Sequence, residues 1–191
     1  MSDLFDKAKL RTRLRKRRRA LDAARPDAAE AAAAALPIER LPPFEWFSSY
    51  HAVGSELDPA PLAARLMKAG GRLALPVTLA ADAPLVFRAW RREDAPEVDA
   101  FGVPSPPASA PQVRPGLVIC PLLGFDRKGA RLGQGGGHYD RTIEALRAEG
   151  EVFVLGLAYA GQEVEGLPAE PHDQRLDAIL TESGYIDVRK D

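Results

Sequence analysis

The residues whose types and spacing suit chemistry best form one glycine-rich segment, residues 131–141, with the sequence RLGQGGGHYDR. Glycine tolerates positive φ and has no side chain, so the backbone N–H groups of such a segment can approach an anion closely. A predicted helix begins directly after the glycines, and its N-terminus adds unpaired N–H groups and a partial positive charge. Arg131, Asp140 and Arg141 offer phosphate partners and a possible Mg²⁺ carboxylate. The pattern predicts a phosphate-binding loop, and the alternative is a flexible surface loop.

This segment differs from two common nucleotide-binding motifs. It lacks the Gly-Lys-Ser/Thr of a Walker A loop, and a G-x-G-x-x-G frame starting at Gly133 would need glycine where His138 stands. The preceding predicted strand ends at Pro121, well before Gly133, whereas a Rossmann turn follows its strand directly. The spacing therefore indicates an anion site of another kind and does not name the ligand.

Length and composition indicate one globular domain, which we expect to span residues 1–191. Hydrophobic residues make up 46% of the chain, yet no apolar run approaches the roughly 18 residues of a membrane span. The N-terminus is basic and has no apolar core typical of a secretory signal. The single cysteine, Cys120, cannot form an internal disulfide, and no histidine or cysteine spacing resembles a zinc site. We expect a cytoplasmic protein with Cys120 in buried packing.

Charge is distributed unevenly along the chain. Residues 1–20 contain nine Lys or Arg and two Asp, which gives a charge of +7. The remaining residues must therefore sum to −8, because the net charge of the chain is −1. A helix is predicted over residues 3–21, with Leu10, Leu14 and Leu21 on one stripe and cations on the other faces. Such a helix could contact nucleic acid, or it could deliver a few cations to an anionic ligand.

The alternation of predicted strands and helices indicates an α/β protein whose sheet is covered on both faces. Further helices are predicted at 27–36, 58–69 and 139–149. Strands are predicted at 46–53, 72–76, 85–90, 117–121, 152–158, 178–181 and 185–188, and residues 101–116 are predicted as a Pro/Gly-rich loop. Ligands of such sheets bind beyond the carboxyl ends of strands, where the loops 54–58, 122–138 and 159–176 are expected.

The block from Gly124 to Arg141, with the pattern GFDxxGxRLGxGxGxYDR, resembles the signature of the 5-formyltetrahydrofolate cyclo-ligase family. Lys7 and Arg11 near the N-terminus also resemble that family, as do the segments GSELD at 54–58 and FGVP at 101–104. The order and spacing of these segments fit along essentially the whole chain. The 124–141 block is the specific one, and the others reinforce it.

The resemblance implies a three-layer α/β/α sandwich with a mostly parallel sheet, related to sugar-phosphate isomerases and CoA transferases. It implies that 5-formyltetrahydrofolate and ATP react, with Mg²⁺, to give 5,10-methenyltetrahydrofolate, ADP and phosphate. Phosphorylation of the formyl oxygen would create a leaving group that the folate nitrogen N10 displaces. The protein would mainly position two ligands and neutralise charge.

The resemblance also implies residue roles, each of which has a plainer alternative. The residues implied for ATP are Lys7, Arg11, Arg131, Leu132, Gly133, Gln134, Gly135, Gly136, Gly137, His138 and Tyr139. The cations at positions 7 and 11 lie one helical turn apart, so they project from one face. The alternative is a solvated basic helix, which is the expectation for most of residues 13–19.

The implied folate contacts are Glu56, hydrogen-bonding the pterin, His51 in the same pocket, and Phe101 stacking on the ring. The implied Mg²⁺ ligands are Asp140 and Asp177. The alternatives are an exposed carboxylate at Glu56, a structural histidine at His51 and a loop anchor at Phe101. For Asp140 the alternative is a carboxylate favoured by the helix dipole, and for Asp177 it is a turn residue.

Three residues depart from the pattern that relatives carry. Gln134 and Gly136 stand where some relatives have basic residues, and His138 stands where tyrosine is common. These departures leave open a family member with another substrate. A nucleic-acid-binding protein that uses the basic helix is the alternative from a different class. No motif that reads a groove or stacks bases supports it, so no nucleic-acid or membrane partner is expected.

Overall fold

The structure is a computed structural model that describes residues 7–91, 93–168 and 170–190. The helices are α1 (Lys7–Ala24), α2 (Ala28–Ala35), α3 (Ala60–Lys68) and α4 (His138–Glu149). The strands are β1 (Trp46–Ser48), β2 (Arg72–Val77), β3 (Val86–Ala89), β4 (Glu97–Val98), β5 (Pro104–Ser105), β6 (Leu117–Pro121), β7 (Gly124–Phe125), β8 (Arg131–Leu132), β9 (Phe153–Leu157), β10 (Ala178–Thr181) and β11 (Gly184–Asp187). Short 3₁₀ turns cover Ile38–Arg40, Ala160–Gln162 and Val188–Lys190.

Seven strands form the central sheet, in the order β11-β10-β9-β6-β1-β2-β3. The inner strands β10, β9, β6, β1 and β2 run parallel, and the edge strands β11 and β3 pair antiparallel. Two small antiparallel pairs, β4-β5 and β7-β8, lie outside this sheet. The mixed α/β class and the mostly parallel sheet are therefore confirmed.

Helices cover both faces of the sheet, as the continuous apolar strands require. Helices α2 and α3 pack on one face, where Leu66 joins Phe47 and Ile119 in one buried cluster. Helix α4 packs on the other face, where Ile143 meets Cys120, the next residue along β6. Successive residues of one strand thus serve opposite cores.

Helix α1 lies across the carboxyl ends of the strands. Leu10 and Leu14 are buried in a cluster with Leu123, which follows β6. The approach is close, because a Cβ atom at Gly161, just beyond β9, would lie 2.6 Å from Leu21 Cδ2. The leucine stripe predicted from sequence therefore docks the helix. Of the predicted helix 3–21, residues 3–6 lie outside the described residues.

The differences from the predicted elements are local. The strand predicted at 46–53 ends at Ser48, and beyond it the Tyr50 hydroxyl donates to Leu57 O at 2.6 Å. The predicted loop 101–116 contains the two-residue strand β5. None of the helices in the described part of the chain is both long enough and apolar enough to cross a membrane.

Candidate functional site

A cavity of about 550 Å³ opens where the carboxyl ends of the strands meet helix α1. Every residue predicted for ATP lines it, from Lys7 and Arg11 to the segment 131–139. Glu56, His51 and Asp140 line it as well, whereas Phe101 and Asp177 are absent from its wall. The cavity therefore brings together residues that are far apart in sequence.

The glycine loop, residues 133–137, has a conformation that requires glycine at two positions. Gly135 has φ +106° and Gly137 has φ +67°, both in the region that side chains rarely adopt. A Cβ atom would lie 3.2 Å from Arg11 Cζ at the first position and 2.6 Å from Arg141 Nη1 at the second. Gly137 is also the N-cap residue of α4, so the loop leads straight into the helix N-terminus.

Helix α1 supplies cations to this loop. Arg11 Nε donates to Gly133 O at 3.1 Å, and Arg15 Nε donates to Gln134 Oε1 at 2.9 Å. Gln134 is uncharged, and a guanidinium from α1 stands beside it. The helix thus brings positive charge to residues 133–137, which have no charged side chain of their own.

An acidic group that the sequence-based predictions missed lies at one end of the cavity. Ligand atoms of Glu170, His172 and Asp173 all lie within 4.8 Å of one another. Lys7 Nζ lies 3.0 Å from Glu170 Oε1 and 3.3 Å from Asp173 Oδ2. Burial acts to raise the pKa of the Asp173 carboxyl, but the Glu170 N–H and the Lys7 ammonium outweigh it, so that pKa is lowered. The available signal was three potential ligand residues within four positions.

Asp140 connects the glycine segment to this acidic group. Its Oδ1 accepts from Arg131 Nη2 at 2.8 Å and from Gln174 N at 2.9 Å. Arg131 Nη1 also donates to Gln174 O, and the Arg131 side chain is only 4% exposed. Because Gln174 follows Asp173 directly, the carboxylates of Asp140 and Asp173 lie on adjoining parts of the cavity wall.

The structure does not place Asp177 at the site predicted for Mg²⁺. Its Oδ2 accepts from Val154 N at 2.8 Å and lies 3.2 Å from Arg147 Nη2. The carboxylate therefore joins the start of β10 to β9 and α4. Asp177 is therefore absent from the cavity wall, where Asp140 lies, and its Oδ2 is occupied by contacts within the fold.

Glu56 lines the cavity, as do the apolar residues Leu85 and Val103. Its Oε2 accepts from Val53 N at 3.0 Å, and its Oε1 lies 3.3 Å from Arg18 Nη1. Sequence reasoning treated the cations at 13–19 as mostly solvated and missed Arg18, which is 5% exposed. The signal was its position, four residues after Leu14 and three before Leu21, on the docking stripe.

The remaining predicted folate contacts differ in their settings. The His51 ring stands edge-on to Trp90, and its buried Nε2 has no hydrogen-bond partner among the described residues. Phe101 is 52% exposed and stands edge-on to His138, with ring centroids 5.7 Å apart. Phe101 therefore touches a residue of the cavity wall without forming part of it.

Two further groups of the region are held in neutral forms. Burial, followed by the nearby Cys120, raises the pKa of the Tyr139 phenol well above its ordinary value. Burial raises the pKa of the Cys120 thiol to about 11, and the side chain is fully buried, as predicted from sequence. Tyr139 is available as a hydrogen-bond donor, and Cys120 is not a nucleophile.

The comparisons with known proteins agree with this geometry. The sequence model of the 5-formyltetrahydrofolate cyclo-ligase family matches residues 4–182. A 5-formyltetrahydrofolate cyclo-ligase of Mycolicibacterium smegmatis is 34% identical over 74% of this chain and 76% of its own length. One from Escherichia coli is 35% identical over 67% of this chain and 72% of its own length. A 5,10-methenyltetrahydrofolate synthetase of Aquifex aeolicus superposes with a TM-score of 0.74 at 26% identity, covering 98% of this chain and 95% of that one.

Proposed function

We propose a function for this chain from the premise that it belongs to the 5-formyltetrahydrofolate cyclo-ligase family. The chain is an ATP-dependent cyclo-ligase that converts 5-formyltetrahydrofolate to 5,10-methenyltetrahydrofolate and releases ADP and phosphate. The observation that carries this function is the shared cavity. Helix α1, the glycine loop and Glu56 all line it, so a nucleotide and a reduced folate can meet there.

The residues of the cavity suit that reaction. A formamide oxygen is a poor leaving group until the γ-phosphoryl group of ATP is transferred to it. N10 of the folate then attacks the formyl carbon and loses its proton, the ring closes, and the bond between that carbon and the phosphate oxygen breaks to release phosphate. Lys7, Arg11 and the glycine loop would bind the phosphates and stabilise the charge that develops during transfer. Most of the rate enhancement would come from holding the two substrates in line.

We propose that Mg²⁺ binds at the end of the cavity near Asp140 and Asp173. Carboxylate oxygens are the protein ligands that Mg²⁺ prefers, and Glu170 adds another beside Asp173. Asp173 thus replaces Asp177 in the expected ligand set. When bound, the ion would neutralise triphosphate charge, and Lys7, 3.3 Å from Asp173 Oδ2, would pair with the same phosphates.

The folate would lie toward Glu56. A carboxylate accepts only, so it suits the N–H groups of the pterin edge. The unpartnered His51 Nε2 is a further polar group for this ligand, and the exposed Phe101 ring offers a stacking surface.

Three wider expectations accompany this function. The sharing of one sheet by both cores supports a single domain. The layered arrangement supports a relationship to sugar-phosphate isomerases and CoA transferases. The lone Cys120 supports a cytoplasmic location, because it has no second thiol to pair with.

The basic helix favours phosphates in the cavity over nucleic acid. Lys7, Arg11 and Arg18 all line the cavity, so these cations face a pocket rather than an outer surface. A groove-binding helix would instead present them together to solvent.

The function is tested by mixing the purified chain with 5-formyltetrahydrofolate, MgCl₂ and ATP and following the absorbance of the methenyl product. We expect turnover that requires ATP and stops when Mg²⁺ is chelated. A folded chain that gives no ATP-dependent signal would contradict the proposed function. Salt-dependent RNA binding without turnover would favour the nucleic-acid alternative.

A further inference from the structure

Arg18 differs from the cations that surround it on helix α1. It is 5% exposed, whereas Arg17 and Arg19 on either side are exposed. Burying a guanidinium is costly unless polar groups meet it. A solvated basic helix face therefore does not explain why Arg18 is buried.

Three acceptors surround the guanidinium. Arg18 Nε donates to Ser55 Oγ at 3.2 Å, and Nη1 donates to Glu56 Oε1 at 3.3 Å and to Leu122 O at 3.4 Å. Two of these partners lie in the turn beyond β1, and the third follows β6. Arg18 therefore joins α1 to the carboxyl ends of two neighbouring strands.

The contact with Glu56 is the one that bears on a ligand. The side chains of the pair are 6% and 11% exposed, so water screens their attraction little. With Oε1 near Arg18 and Oε2 bonded to Val53 N, both oxygens have fixed positions. A carboxylate has about four acceptor sites, so capacity remains for N–H groups in the cavity.

Helix α1 also links this pair to the phosphate end of the cavity. Lys7 and Arg18 are eleven residues apart, a rise of about 16 Å along the helix. Both line the cavity, one beside Asp173 and the other beside Glu56. One rigid helix thus carries a cation to each end.

We propose that Arg18 is a positioning residue that holds the Glu56 carboxylate in place to accept hydrogen bonds from the pterin ring of the folate. The proposal rests on the proposed function. It assigns Arg18 to the folate half of the site, although its helix is otherwise concerned with phosphates. If Arg18 served only to dock α1, its loss would disturb Lys7 and Arg11 equally and would impair ATP binding as well.

The test compares Arg18→Met, Arg18→Lys and the matched control Arg19→Met, an exposed cation one residue away. We expect Arg18→Met to raise the KM for 5-formyltetrahydrofolate about ten- to a hundredfold and to change the KM for ATP less than about threefold. Arg18→Lys keeps the charge without the forked donors, so its folate KM should lie between those of the wild type and Arg18→Met. Arg19→Met should match the wild type in both constants.

A double-mutant cycle with Glu56→Gln separates positioning from a general structural effect. The double variant combines Arg18→Met with Glu56→Gln. If Arg18 acts through Glu56, the fold rise of its folate KM should be clearly smaller than the product of the fold rises of the two single variants. Three results would each overturn the assignment. They are a double variant whose fold rise equals that product, an unchanged folate KM in Arg18→Met, and an equal rise of the folate and ATP KM values in Arg18→Met. Should Arg18→Met fail to fold, Arg18→Lys decides: a folate KM raised at least about threefold with ATP kinetics unchanged supports the assignment, and an unchanged folate KM overturns it.

The activity of the wild type distinguishes a failure of the proposed function from a failure of the Arg18 assignment. A wild-type chain without turnover would remove the proposed function and this assignment with it. A wild-type chain that turns over, beside an Arg18→Met variant with the same folate KM, would overturn the assignment alone.

Discussion

Lys7 Nζ lies 3.3 Å from Asp173 Oδ2, which joins the start of helix α1 to the tail of the chain across 166 positions. The two side chains are 19% and 20% exposed, so the pair is partly shielded from water. A cation thus stands among carboxylates at one end of the cavity. Phosphates and a metal ion would meet both kinds of charge there.

Lys7→Ala and Arg11→Ala should each raise the KM for ATP about tenfold or more, because each removes a charge-assisted hydrogen bond to a phosphate. Neither side chain belongs to the leucine cluster that docks α1, so the melting temperature should change little. Steady-state kinetics and thermal unfolding provide the measurements. Lys16→Ala, on the exposed face of the same helix, is the control. Unchanged ATP kinetics in both variants would exclude α1 from the nucleotide site.

The metal site predicts a contrast among three aspartates. Asp140→Asn and Asp173→Asn should raise the Mg²⁺ concentration for half-maximal activity several-fold, since an amide oxygen is a weaker ligand than a carboxylate. Asp177→Asn should leave that concentration unchanged and lower thermal stability, because it weakens the contacts with Arg147 and Val154 N. Mg²⁺ titration of the three variants makes the comparison. A Mg²⁺ shift in Asp177→Asn alone would restore the assignment made from sequence.

Alanine variants of the glycine loop should show which glycines are required by their backbone conformation. Gly135→Ala and Gly137→Ala each place a side chain at positive φ, at a cost of about 1–2 kcal/mol before the contacts with Arg11 and Arg141 are counted. For a chain of this size, 1 kcal/mol corresponds to roughly 2–4 °C in Tm. A Cβ atom at Gly133 would meet nothing within 4 Å, so Gly133→Ala is the matched control for thermal unfolding. Equal Tm values for the three variants would contradict the loop geometry.

Cys120 should resist alkylation in the folded protein. Burial raises the pKa of its thiol to about 11, so at pH 8 only about one thiol in a thousand would be ionised. The thiolate fraction rises with pH through that value, but the side chain stays out of contact with the reagent until the chain unfolds. Iodoacetamide labelling at pH 8 with and without urea, followed by mass spectrometry, measures this. Rapid labelling of the native chain would show that the thiol is accessible.

The sequence predicts the layered architecture because apolar patterns report burial directly. The runs predicted at 117–121 and 152–158 form the central parallel strands β6 and β9, and the leucine stripe of α1 forms its docking face. The extent of β1 was wrong, because the aromatic pattern continues past Ser48 while the strand ends there and the Tyr50 hydroxyl is bonded to Leu57 O. A strand end set by such a side-chain contact leaves no local pattern.

The site was predictable where residues cluster in sequence and not where the fold brings them together. The glycine segment and the cations at positions 7 and 11 line the expected cavity. Asp173 and Asp177 lie only four positions apart, and only the fold shows that one faces the cavity while the other pairs with Arg147. Arg18 is likewise one of many cations until the packing of α1 selects it. Charge patterns describe how many groups a helix carries, and tertiary contacts decide which of them is buried.

The position of α1 has a consequence for how the chain is made. Several of its contacts lie with Leu122, Gly133 and Asp173, which are 104 to 166 positions further along than their partners in α1. At about 5–20 residues per second, the ribosome supplies those partners on the order of ten seconds after the helix has emerged. Most of the stability of a helix in a protein comes from packing of its apolar face, which α1 cannot complete without those partners. Until they emerge, the nascent chain carries a cationic segment without them, and the cavity cannot be complete before Asp173 has been synthesised.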